Sequence, residues 1–195
     1  MKSREIALVS IMSALTVAIA YSKGLAMPFL PGLIEFTSVI IFVNGFCFGY
    51  VVGGAIGALA LAIEMMIPYP FAFPTAWIFT ISPILLIIII ALGAMFGIVG
   101  GFLGKRLRHE KIDRKFIIRM GFTGFALAFV YQILSSIGFY LAYPIYASVW
   151  VAIYFTFLPL YYQYPPISQA FTNIIVFALI APPLILAIKK LPAST

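Results

Sequence analysis

Two carboxylates stand apart from the charged segments of this chain: Glu35, just after Pro31-Gly32, and Glu64, inside an otherwise apolar stretch. An acid at membrane depth is costly unless paired, hydrated or neutralised, so it is a functional candidate by default. Glu35 has a simple explanation, because a carboxylate at a helix start meets the positive end of the helix dipole. Glu64 has no basic residue nearby in sequence. That leaves a ligand or ion contact, or a hydrated cap at a helix end, and makes it the best single polar anchor. Aromatic residues crowd two connections, with Tyr69, Phe71, Phe73 and Trp77 in one and Tyr143, Tyr146, Trp150, Tyr154, Tyr161, Tyr162 and Tyr164 in the other. An interfacial aromatic belt accounts for part of this. Six of the eleven tyrosines within residues 143–164 exceed what a belt needs, and tyrosine joins flat apolar contact to an orienting hydroxyl. A lid over a small flat ligand fits that pattern, with Trp77, Tyr146, Trp150 and Tyr154 as stacking candidates. Gln132, Ser135, Gln163, Gln169 and Asn173 can face the same cavity or bond between helices. Gln132 and Asn173 join Glu64 in the candidate ligand set.

Catalytic constellations are missing. The single histidine, His109, lies among the charges of residues 105–119, so no metal site can be built on a histidine pair. Neither GxxxxGK[ST] nor HExxH occurs, which removes ATP hydrolysis by a P-loop and a zinc protease site. No enzyme, metal or cofactor is expected, and the energy for any transport must come from a partner subunit or an ion gradient. Cys47 lies in the apolar run 40–48 and reads as a small buried hydrophobe. As the only cysteine, it forms no disulfide within the chain.

The elements that position these residues follow from composition. Hydrophobic residues make up 64% of the 195 positions and charged residues 9%, against roughly 45–50% and about 25% in a soluble domain. The uncharged stretches 36–63, 65–104, 120–164 and 165–188 each exceed the roughly 20 residues that cross a bilayer. They lack the two-residue alternation of a barrel, so helices remain as the way to satisfy the backbone in lipid. The expectation is an all-α integral membrane protein forming one domain, residues 1–195. The formal charge of +7 reads as a topology signal rather than a nucleic-acid footprint, because the basic residues sit at segment ends and in one connection. The first apolar stretch begins at once and lacks a persuasive cleavage site, so Met1 is expected to start the mature protein.

Span one is expected at 6–21, ending where Lys23, Gly24, Pro28, Pro31 and Gly32 break helical geometry. Residues 35–67 are too long for one upright crossing, about 50 Å of helix, so a tight turn must divide them within 45–54, where Gly49, Gly53 and Gly54 weaken the helix. Pro68, Pro70 and Pro74 mark the next connection, and span four runs over 77–103 with a kink at Ser82-Pro83. Span five starts near Phe116. With six transmembrane helices, eleven of the twelve basic residues fall on one side and only Lys23 lies opposite, as the positive-inside tendency favours. Both termini are then cytoplasmic in the cell membrane, and residues 143–164 become a long outer loop between helices five and six, folded as a partial or re-entrant helix. Small residues recur at four-residue spacing as Ser10, Ala14 and Ala18 and as Gly45, Gly49, Gly53 and Gly57. Such rows serve internal packing or docking of a separate membrane subunit.

Taken in order, these features resemble the substrate-binding S components of energy-coupling factor transporters, which take up vitamins and micronutrients in prokaryotes. The residues that carry the likeness are Arg4-Glu5-Ile6-Ala7 before a small-residue first helix with Ala14 and Ala18, then Pro31-Gly32, then Phe48-Gly49-Tyr50-Val51-Val52-Gly53-Gly54. The last is similar to the family's Phe-Gly-Pro-x-x-Gly turn, with Tyr50 in place of proline. Tyr164-Pro165-Pro166, Asn173, Pro182-Pro183 and Lys189-Lys190-Leu191 are similar to its last helix and basic tail. The resemblance implies a six-helix, high-affinity binding subunit that captures its substrate near the outer face and associates with a transmembrane coupling protein and two ATPases. It also implies that Ala14 and Ala18, with Ser10 one turn lower, face that coupling protein. The substrate does not transfer with the resemblance. Glu64 and the aromatic residues rank nitrogen heterocycles of vitamin size, such as thiamine or its pyrimidine precursor, above acidic substrates. The competing readings are a small ion-coupled or self-sufficient transporter acting as an oligomer, with Glu64 as coupling carboxylate, and a non-catalytic membrane assembly factor.

The charge asymmetry predicts that a cysteine at Ser194, in a Cys47-free background, is labelled by an impermeant reagent only from the cytoplasmic side. Labelling from outside alone would require a seventh span.

Overall fold

The computed structural model describes residues 1–26, 35–66, 82–107, 109–143, 145–158 and 165–190. The expected connections around Pro28 to Gly32 and Pro68 to Pro74, together with Trp77, Tyr161, Tyr162, Gln163 and Tyr164, lie outside these residues. All described secondary structure is helical: α1 (Ser3–Ala26), α2 (Phe36–Phe48), α3 (Tyr50–Met66), α4 (Pro83–Leu107), α5 (Arg114–Ala142), α6 (Val149–Phe155) and α7 (Ser168–Lys189). Of these, α1, α4, α5 and α7 are long and apolar enough to cross a membrane, while α2 and α3 are shorter apolar helices of 13 and 17 residues.

Local chemistry sets the ends. Glu35 caps α2, its Oε1 accepting from the Thr37 N–H at 2.9 Å. Asp113 caps α5 by accepting from the Phe116 N–H, also at 2.9 Å, so the helix begins at Arg114, two residues before Phe116. α4 begins at Pro83, where a missing N–H breaks no helical bond. Residues 77–81, the expected start of this span before the kink, lie outside the described residues. At its other end α4 runs past residue 103 to Leu107, with Lys105 and Arg106 in a last turn whose dipole favours cations. α7 begins after Pro165-Pro166, passes through Pro182 and Pro183, and ends at Lys189.

The turn between α2 and α3 falls at Gly49, with φ of 94°, a backbone conformation that side chains other than glycine rarely adopt. It folds α2 and α3 into an antiparallel hairpin, and α4 packs against both at backbone contact. A Cβ on Gly97 would lie 1.9 Å from the Gly53 carbonyl oxygen, and one on Gly45 would lie 1.9 Å from that of Gly97. The glycine row of the hairpin therefore serves internal packing. α1 runs parallel to α3, with Ser13 Oγ donating to the Ile56 carbonyl and the Tyr21 hydroxyl to the Glu64 carbonyl, each at 3.4 Å. α5 and α7 form a second antiparallel pair, with Gly121 and Gly124 against Ile174, Asn173 and Phe177. The two groups meet through Phe42 against Phe177, ring centroids 5.3 Å apart, and Phe46 against Phe116 at 6.1 Å.

The six longer helices thus alternate in direction. Arg4, Gly49, Lys105, the ion pair of Arg119 with Glu110 at 2.7 Å, and Lys189 gather at one end. Large apolar side chains such as Ile11, Ile87, Phe122 and Leu179 are exposed along the flanks, which is compatible with a membrane protein. The described part of the expected outer loop holds only α6, whose seven residues rise about 10 Å, a third of a bilayer's hydrocarbon thickness. Ala152 is buried, and the Thr156 and Ser136 hydroxyls lie 2.5 Å apart, tying this segment to α5.

Substituting Gly97 by leucine should unfold or destabilise the protein by more than about 2 kcal/mol, since main chain cannot yield as a side chain does. Gly49→Ala, with open space around its Cβ, should cost about 1–3 kcal/mol from backbone strain alone. Thermal unfolding of both variants checks the order.

Candidate functional site

A cavity of about 150 Å³ opens between the two helix groups, toward the end opposite the basic residues. Helix α2 contributes Thr37, Ser38 and Ile41 below its cap Glu35; α3 contributes Leu61, Glu64 and Met65; α4 contributes Phe96. Ala128 and Tyr131 of α5 and Gln169 and Asn173 of α7 complete the wall. Beside the wall, α3 and α4 are in glycine contact at Gly57 and Gly93, and the Leu61 side chain packs against Gly93. Tyr131 is fixed by its ring neighbour Phe96, with centroids 6.0 Å apart.

The wall is rich in oxygen. Asn173 is 1% exposed and Thr37 3% exposed. Neither Asn173 Oδ1 nor Thr37 Oγ1 has a hydrogen-bond partner among the described residues. A buried polar atom left unsatisfied costs about 1–3 kcal/mol, so Asn173 Oδ1 marks a place where an incoming donor gains most, and the Thr37 hydroxyl one where either a donor or an acceptor would. Glu35 and Glu64 add two carboxylates to the same wall, and none of the described lining residues is basic.

Of the residues selected from the sequence, Glu64, Gln169 and Asn173 come together here. Gln132 is not in the wall but donates through Nε2 to Gln169 Oε1, which is. The described loop aromatics lie elsewhere. Tyr146 packs on Phe155 at 5.5 Å between centroids. Trp150 and Tyr154 are 76% and 61% exposed and take no part in the wall. Trp77 lies outside the described residues. Sequence reasoning gave Glu35 only its capping role and passed over Thr37, Ser38 and Tyr131. The available signal for Tyr131 was a phenol beside Gln132 in a long uncharged run.

A second hollow, of about 460 Å³, lies at the basic end between Phe46, Gly49, Tyr50, Lys105 and Lys189, with the half-buried Cys47 in its wall. Among the described residues no three histidine, cysteine, aspartate or glutamate side chains gather to hold a metal ion. Comparison with known proteins finds no matching family model, no matching curated protein and no matching solved structure.

If the cavity is the binding site, Asn173→Ala should weaken the affinity for a co-purifying small molecule about tenfold, whereas Trp150→Ala should change it less than about twofold. Isothermal titration of both variants decides, and the reverse order would move the site to α6.

Proposed function

We propose that this protein is the ligand-capturing membrane subunit of an uptake transporter of the energy-coupling factor kind. In this reading the six longer helices each cross the bilayer, both termini are cytoplasmic, and the cavity faces the outer side. The observation that carries it is the oxygen-lined cavity within an apolar bundle, where Asn173 and Thr37 are buried with acceptor atoms that no described residue satisfies. Polar atoms of this kind are expensive in such surroundings unless a ligand uses them. The gathering of basic residues at the opposite end supports the orientation. The protein has no P-loop of its own, so ATP-driven release would depend on a transmembrane coupling protein and two ATPase subunits.

The face of α1 supports the partner. Ser10, Ala14 and Ala18 are all exposed, while Ser13, Thr16, Val17 and Ala20 turn inward. The small-residue row of α1 is therefore not packed against the other described residues. It offers a smooth strip against which another membrane helix can lie at short distance.

Two carboxylates in one cavity also suit an ion-coupled transporter that works without ATPases. Proteoliposomes holding this chain alone separate the two, because uptake driven only by an ion gradient belongs to the second reading.

Ala14→Leu and Ala18→Leu should abolish retention of the coupling subunit in pull-downs from the native membrane, while ligand affinity stays within about twofold. Parallel loss of folding and ligand binding would count against α1 as a docking face.

A further inference from the structure

We infer that Gln169 and Asn173, one turn apart on α7, read the amide edge of a neutral, planar ligand of about single-ring size, in which an N–H stands beside a C=O. This rests on the capture reading above and specifies its ligand. Residues four apart on a helix are neighbours on one face, and both of these line the cavity. Asn173 is almost wholly buried, and its Oδ1 has no hydrogen-bond partner among the described residues. A carbonyl oxygen can be satisfied only by a donor, so this position calls for an N–H or O–H of the ligand. Gln169 supplies the opposite character. Its Oε1 accepts from the Nε2 of Gln132, a residue outside the wall. What the Gln169 amide has left for the cavity is its own Nε2, a donor. Gln132 is thus a positioning residue, because it fixes which end of the Gln169 amide is free.

The rest of the wall suits the same ligand. The Thr37 hydroxyl is buried and without a partner among the described residues. It can donate as well as accept, and the second lone pair of a ring carbonyl gives it an acceptor. Phe96 and Tyr131, with ring centroids 6.0 Å apart, line the wall and offer apolar faces to a flat ring. Size narrows the class. A protein cavity of about 150 Å³ accommodates one benzene-sized ring, and the observed space is about 150 Å³. A lactam ring, with its N–H and C=O on adjacent atoms, fits that volume and presents donor and acceptor side by side. A ring of equal shape without the N–H leaves Asn173 Oδ1 buried and unsatisfied, and a site discriminates far more sharply by such a loss than by a small change of shape.

Three probes test this on the full chain in detergent micelles, with affinities from ligand-observed NMR titrations. The lactam 2-pyridone carries both N–H and C=O, the lactone 2-pyrone has nearly the same shape with a ring oxygen in place of the N–H, and pyrrole has the N–H alone. The lactam should bind at least about tenfold more tightly than either of the others. Asn173→Leu should bring the lactam to within about threefold of the lactone and leave lactone affinity within about threefold of wild type, which also reports an intact cavity. Gln169→Leu and, separately, Gln132→Met should weaken lactam and lactone alike by at least about fivefold and leave pyrrole within about twofold, a split that loss of folding does not produce. Equal binding of lactam and lactone by the wild type would overturn the inference, as would an unchanged lactam preference in Asn173→Leu, unchanged lactam affinity in Gln169→Leu, or no binding of any probe to the wild type. The capture reading has its own readout in mass spectrometry of small molecules that co-purify with the protein. A bound compound without an amide edge sinks the lactam and keeps the capture. A lactam preference in the wild type, with no co-purifying molecule and no retained partner subunit, sinks the capture reading alone.

Discussion

Backbone contact among α2, α3 and α4 is the constraint on which the rest of the bundle depends. Each interior glycine costs its helix about 1 kcal/mol relative to alanine, and at Gly45, Gly53, Gly57, Gly93 and Gly97 an added Cβ would overlap main-chain atoms of a neighbouring helix. Nothing but main chain separates the three helices along this row, so their spacing is set by covalent geometry rather than by rotamers. The cost is offset by close dispersion contact and by Cα–H to carbonyl approaches of the type seen where membrane helices touch. The turn at Gly49 is part of the same arrangement, because it brings Gly53 back beside Gly45 across the hairpin.

The cavity lies between this glycine-packed trio and the α5–α7 pair. Glycines occupy the half of the hairpin nearer the basic end, and side chains of ordinary size take over above Gly57. The lining is whatever the sequence puts there. It puts Glu35 and Glu64 at facing ends of the two hairpin arms, with Tyr131 and Asn173 on the opposite pair. Several other polar side chains in the bundle turn back to their own helix: Thr16 to the Met12 carbonyl, Ser136 to that of Gln132, and Asn44 through Nδ2 to that of Ile40, although Asn44 Oδ1 is itself buried without a partner among the described residues.

Sequence reasoning reached the helical class and the division of residues 35–67 at a glycine turn because both follow from local rules: apolar run length, and the conformational freedom of Gly49. It selected Glu64 and Asn173, since a lone acid and a lone amide in apolar runs stand out by cost. It could not select Thr37 or Tyr131. Nothing in their local sequence separates them from residues that bond within their own helix or pack in the core, and only the meeting of α2 with α5 and α7 gives them a shared space. The exposed position of Trp150 was hidden for the same reason. Aromatic density in a loop says that rings are near an interface, but not which way a short helix turns its faces. Of the two small-residue rows, the hairpin glycines pack inside the bundle, while the α1 row is exposed.

The seam between the glycine-packed trio and the α5–α7 pair has a mechanical consequence. It is held by ring edges such as Phe42 on Phe177 and Phe46 on Phe116, contacts that slide more readily than interlocked main chain. Any molecule in the cavity touches Glu35, Glu64 and Phe96 on one side and Tyr131, Gln169 and Asn173 on the other. On the proposed capture function, such a molecule would brace the trio against the pair, and without it the seam would rest on contacts such as these ring edges.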